Sequence, residues 1–320
     1  MLTLPTLSLL VIRFESLYFI KLSAMKHLYI IGNGFDIHTG LATKYSDFCK
    51  WLENNYPFIY ENMYATYGMD GEWWNDFEAQ LGKLDIKKYV EKFSPSVKTV
   101  DEVMAKIEQR IALEKKYNMP ISMLGDAPCS RRLRGMLDVL QYCFEKWIEN
   151  CQSSIFTPQY IHIEKEDSFF INFNYTDVLE CLYEIPEESV LHIHGRASKG
   201  EHLIYGHSDR FCGNLVTYDE QQVDFELGLY YKNPYEYIYK HLELTDVLKD
   251  IEYIHVYGFS FSEIDEDYLD WIYKNVPLDS KWEVSWFTDT DQKRIDKFVL
   301  NYIGLKDRLN LIRLEDINEK

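Results

Sequence analysis

The chain has 320 residues, 46% hydrophobic and 16% aromatic with 25 tyrosines, enough for one large domain or two modest ones around a substantial core. Lys and Arg number 34 against 52 Asp and Glu, a formal charge of −18. Such a field repels a nucleic-acid backbone, and the longest basic cluster is only Arg131-Arg132-Leu133-Arg134. None of the six cysteines forms a C-x-x-C pair, which argues against a zinc ribbon or a secreted disulfide framework and fits scattered thiols in a reducing cytoplasm.

Leu2 to Ile12 is apolar, but Arg13 and Glu15 interrupt it before a membrane-spanning length is reached. A basic n-region and a small-residue cleavage site are both missing, so residues 1–24 read as a non-native upstream extension, with translation expected to start at Met25. The run His27 to Ile31 then predicts a buried strand that ends in Gly32-Asn33-Gly34 and passes into an amphipathic segment carrying Asp36. Glycines at such a strand end let the backbone approach a pyrophosphate, and the following helix offers its N–H groups to the anion. The same Gly-x-Gly also serves turn geometry alone, and a third glycine at the usual spacing is absent.

Residues 41–151 read as wholly helical, an insertion or cap between the first and second strands. Within it, helical spacing predicts elements at 45–63, from Trp73 through Leu84, at 97–116 and at 131–151. Strand character returns at Ser168–Phe173, followed by Asn174-Tyr175-Thr176-Asp177 and a short helix. A second strand, Val190–Gly195, closes on His194-Gly195, with His192 and His194 expected on one face. After a polar stretch at 196–225 and a helix at 234–249, Ile251–Tyr257 breaks into Gly258-Phe259-Ser260. Trp282–Asp289 is a last strand with a helix at 290–302 behind it. Strands alternating with helices mean an α/β fold, a Rossmann-like parallel sheet made of 25–40 and 152–320, which binds ligands beyond the carboxyl ends of its strands.

Those ends supply Gly32 and Gly34, Asn174, His194, Gly258 and Ser260, and Asp289. Their order resembles the sirtuin-like NAD-consuming fold. More specifically, LYIIGNGFD, WWNDFE, FNYTDVLE, LHIHG, IYGHSD and YGFSFSEID together resemble the bacteriophage abortive-infection family AbiH over 26–290. The resemblance implies a cytoplasmic bacterial defence protein that takes NAD as substrate and cleaves its nicotinamide–ribose bond, with no metal. Asn174 would orient a hydroxyl or water near C1′ of the ribose, and His194 would accept a proton. Gly32, Asn33 and Gly34 would hold the pyrophosphate, with Ser260 and Asp289 on ribose hydroxyls and Asp36 on the sugar or the nicotinamide amide. The sirtuin pattern places an Asp two residues after the Asn; here Thr176 stands there and Asp177 follows. The zinc-binding cysteines of deacylating sirtuins are absent, so protein deacylation is not expected.

Several residues keep a second reading. Asn174 also suits a helix N-cap. His192 is a packed histidine or half of a His-x-His metal pair with no partner fixed by spacing. His207 and Asp209 form a lid or a solvated turn, and Glu78 is a second carboxylate or part of an internal salt bridge. The functional alternative to hydrolysis is a sensor that binds a nucleotide or ADP-ribose without catalysis. A nuclease ranks last, because it wants paired carboxylates on a metal and a basic track. The partners expected are a nucleotide, a phage trigger or regulatory protein, and a second copy of the chain, with neither membrane nor nucleic acid.

Overall fold

The computed structural model describes residues 25–94, 128–153, 160–208 and 214–317, with part of 101–116. The expectations for residues 1–24 and for Asp209, and much of the helix expected at 97–116, lie outside the described residues. The chain forms two compact units. The first takes in the described residues up to Ala42, Gln152–His202 and the chain from Pro234 onward; the second is Thr43–Cys151 with Leu203–Asn233.

The first unit is built on six parallel strands, β1 (His27–Ile31), β2 (Ser168–Asn172), β3 (Val190–His192), β4 (Tyr253–Tyr257), β5 (Lys281–Ser285) and β6 (Leu309–Ile312), in the order β3-β2-β1-β4-β5-β6. This is the α/β, Rossmann-like parallel sheet that the alternating pattern predicts. In chain order the helices are α1 (Asn33–His38), α2 (Tyr45–Asn55), α3 (Pro57–Tyr67), α4 (Phe77–Gly82), α5 (Ile86–Phe93), α6 (Cys129–Gln152), α7 (Val178–Leu182), α8 (Tyr218–Gly228), α9 (Pro234–Lys240), α10 (Leu244–Leu248), α11 (Glu266–Asn275) and α12 (Asp289–Leu300).

The period of two along β1 sorts its side chains between two cores. Leu28 and Ile30 join Phe169, Ile171, Ile254, Val256, Trp282 and Val284 on one face. Tyr29 and Ile31 join Phe170, Val178, Leu179, Ile161 and Ile163 on the other. A central parallel strand covered on both faces needs such a run of apolar and β-branched residues. Each large side chain so buried contributes about 1.5–3 kcal/mol.

Register then fixes where the loops emerge. Ile31 lies opposite Asn172 on one side and Tyr257 on the other, and Asn172 lies opposite His192. The carboxyl ends of β1 to β4 therefore finish in one row. Strands β2 and β3 lie to one side of β1 and β4 to β6 to the other, so the chain reverses direction at β1. In open α/β sheets that switch point is where ligands bind.

The second unit is helical with an aromatic core: Phe48 lies 5.0 Å from Trp147 between ring centroids, and Trp74 stacks on Phe77 at 5.3 Å. It also includes Leu203–Asn233, which the sequence pattern assigned to the α/β part. Gln141 holds that stretch by donating to the Leu203 carbonyl at 2.8 Å. The helix expected at 45–63 is two helices, because Pro57 lacks the N–H to continue α2 and instead opens α3. The helix expected at 234–249 likewise divides into α9 and α10. Strand β6 and helices α8 and α11 were not anticipated.

Candidate site at the carboxyl ends of β1 and β2

The turn after β1 interlocks with the turn after β4. Gly32 N donates to the Tyr257 carbonyl at 2.9 Å, and Gly34 N donates to the Gly258 carbonyl at 2.8 Å. Side chains have no room here. A Cβ on Gly258 would lie 2.0 Å from Phe35 N, and one on Gly32 would lie 2.6 Å from the Gly258 oxygen. Gly258 also has φ +63°, the left-handed region that favours glycine. Ser285 Oγ accepts from Gly258 N at 2.8 Å and ties the end of β5 to the same turn. This close backbone approach accounts for all three glycines by itself.

Beside that turn lies a buried polar set that joins α1 to the loop after β2. Asp36 is 1% exposed and Asn174 4%. Asn174 Nδ2 donates to the Gly32 carbonyl at 3.0 Å and to Asp36 Oδ1 at 2.8 Å. Thr176 Oγ1 donates to Asp36 Oδ2 at 2.5 Å. Asn172, the last residue of β2, accepts the Asn174 backbone N–H at 3.0 Å through its side chain and so bends the loop back over the sheet edge. Burial raises the Asp36 carboxyl from 3.8 to about 7, and the hydrogen bonds from Thr176 and Asn174 only partly offset it. The N-cap of α7 is Asp177, so the cap reading of Asn174 is set aside. Thr176, two residues after Asn174, thus hydrogen-bonds the carboxyl that α1 brings in.

A charged network backs this set. Arg196 Nε donates to Asp177 Oδ1 at 2.5 Å, and its Nη1 lies 3.7 Å from Glu180 Oε1 and 3.3 Å from Glu187. His192 Nε2 is 2.7 Å from Glu180 Oε1, and its Nδ1 is 3.3 Å from the Asn174 carbonyl oxygen. Asp177, Glu180 and His192 present ligand atoms within 4.8 Å of one another. The Arg196 guanidinium already lies against both carboxylates, so we read the cluster as an ion-pair network. Asp177, the N-cap of α7, and Glu180 in its first turn are three residues apart, a spacing visible in the sequence. Arg196 and Asn172 carried no such signal.

The other candidates are distributed more widely. β3 ends at His192, so the expectation that His192 and His194 share a face fails: beyond the strand the chain turns through Gly195 at φ +88°. His194 is buried among the rings of Phe173, Tyr237 and Tyr268, with centroids 5.2, 6.4 and 5.8 Å away. Asn33 opens α1. Ser260 and Asp289 are exposed, the former accepting from Arg294 through its carbonyl at 3.4 Å and the latter beginning α12. In the helical unit Glu78 takes the salt-bridge alternative, 3.4 Å from the buried Lys232 and accepting from the Tyr45 hydroxyl. His207 is neither a lid nor a solvated residue: it is buried, with Nε2 3.0 Å from the Leu227 carbonyl and its ring beside Gly82.

A parallel sheet reversing at β1, a glycine turn at that point and buried polar side chains on the adjoining loop define an α/β protein of Rossmann-like layout. The chain belongs to the family described as bacteriophage abortive infection AbiH, which it matches over residues 28–286. Its role is accordingly in abortive infection, a bacterial defence against phage. Among curated proteins no sequence matches the chain. No helix among the described residues is long and apolar enough to cross a membrane.

Proposed function

We propose that the protein acts in phage defence by hydrolysing NAD at the nicotinamide–ribose bond, at the carboxyl ends of β1 and β2. The observation that carries this reading is the buried Asp36–Asn174–Thr176 set next to the glycine turn. Water replaces nicotinamide at C1′, giving ADP-ribose, free nicotinamide and one proton. The transition state is oxocarbenium-like, so the ribose must be held while one water is aimed at C1′. Asn174 suits the aiming, because a carboxamide bonds to oxygen without exchanging protons, and Gly32 and Asp36 fix its plane.

Asp36 suits the proton transfer. A carboxyl with a pKa of about 7 is divided between its two forms near neutral pH, where a general base works best. It takes the place that sequence pattern gave to His194, whose ring is packed among Phe173, Tyr237 and Tyr268. Asp36 and Asn174 are both buried, so substrate enters only when the loops after β1 and β2 part. That closed arrangement suits an enzyme that stays silent until infection. Protein purified from phage-infected cells should release nicotinamide from NAD stoichiometrically with ADP-ribose, and Asn174→Ala and Asp36→Asn should each lower turnover about 100-fold or more. Folded variants that keep wild-type turnover would rule the reading out.

A further inference from the structure

We propose that His192, clamped as an imidazolium between the Glu180 carboxylate and the main-chain carbonyl of Asn174, is the positioning residue of this site, fixing the Asn174 backbone and supplying the positive charge that faces the buried Asp36 carboxyl. The inference rests on the reading of Asn174 and Asp36 as the reactive pair. Nδ1 of His192 faces a carbonyl oxygen at 3.3 Å, and Nε2 faces Glu180 Oε1 at 2.7 Å. A carbonyl has no proton to give, and a carboxylate beside Arg196 has none either. Neutral imidazole carries one N–H, so only the doubly protonated ring satisfies both neighbours. The side chains of His192 and Glu180 are each 7% exposed, so water does not replace either bond cheaply.

The charges around the ring close on this assignment. Asp177 and Glu180 contribute two buried negative charges, and Arg196 with imidazolium His192 contributes two positive ones. Glu187, which also meets Arg196, is largely exposed and is paired with Lys199 at 3.0 Å. Asn174 links the ring to Asp36, bonding to His192 through its main-chain carbonyl and to the carboxyl through its side chain, and there His192 favours the charged form of Asp36 while Glu180 disfavours it. The network therefore acts on the site in two ways: a hydrogen bond to the Asn174 main chain, and a field at the carboxyl that Asn174 touches. Arg196 and Glu180 act through His192.

Two measurements test this. In wild-type protein at pH 7, ¹⁵N NMR of the His192 ring should show both nitrogens protonated; one bare nitrogen would overturn the proposal. Carboxyl ¹³C NMR, with the Asp36 signal assigned by its loss in Asp36→Asn, should then show the Asp36 midpoint moving upward in His192→Gln, by on the order of 1 pH unit. A merely structural loosening admits water and pulls the midpoint down toward 3.8. An unmoved or lowered midpoint would also overturn the proposal. Where wild-type protein hydrolyses NAD, the acid limb of its pH–rate profile should move upward with that midpoint. Neither NMR measurement requires turnover, so a protein inactive on NAD would sink the hydrolase reading while leaving this one to be decided separately.

Discussion

Replacing Asp36 with Asn should make the protein more stable at alkaline pH while abolishing its proposed activity. The carboxyl rises from 3.8 to about 7 on folding. Between those values the folded state holds a proton that the unfolded chain has released, so stability falls as pH rises from 3.8 to about 7 and the full penalty applies above that. At about 1.4 kcal/mol per pH unit, the ionised carboxyl costs the folded state about 4 kcal/mol at pH 8. Asparagine keeps both contacts: its oxygen accepts from Asn174, its amide donates to the Thr176 hydroxyl, and it never ionises. Urea denaturation at pH 8 should therefore show Asp36→Asn about 4 kcal/mol more stable than wild type, with the gain reduced by about 3 kcal/mol at pH 5. A difference that does not vary with pH, or a variant less stable than wild type at pH 8, would refute the argument. The gain in stability with loss of turnover is the trade-off expected where a site stores an unfavourable charge for chemistry.

Other substitutions test the surrounding frame. Gly258→Ala places a Cβ against Phe35 N in a left-handed backbone and should cost about 3 kcal/mol or prevent folding, whereas Gly228→Ala, with open space around it, should change the stability derived from thermal melts by less than about 1 kcal/mol. Arg196→Gln leaves Asp177 and Glu180 without their guanidinium and should destabilise by about 3 kcal/mol in urea; a loss under 1 kcal/mol would show that the pair is solvated. Burial, with the neighbouring His255, lowers His27, so the unfolded chain binds protons that the folded one refuses. In an Asp36→Asn background stability should therefore fall as pH drops below 6.5, and adding His27→Gln should flatten that decline.

The sheet was readable where burial leaves a local pattern. β1 and β2 are almost wholly buried, and their apolar runs mark them as strands. β6 is an edge strand of four residues whose middle pair is exposed, so neither alternation nor a continuous run announces it. α8 buries only Val223 and Leu227 and exposes Tyr218 and Phe225, so its apolar residues do not gather on one stripe. The site divided in the same way. Asn174 and the glycine turns were legible as strand ends. The bond from Thr176 to Asp36 joins positions 140 residues apart, and no spacing predicts it. His192 and His194 were misassigned to a common face because the strand stops one residue earlier than β-branched Ile193 suggests.

NAD hydrolysis in defence is decided in cells expressing wild type, Asn174→Ala or Asp36→Asn, by measuring NAD and nicotinamide before and after phage infection together with plaque formation. The account predicts that NAD falls and nicotinamide rises in infected wild-type cells, and that both variants lose depletion and protection together. Protection that persists with NAD unchanged would contradict it.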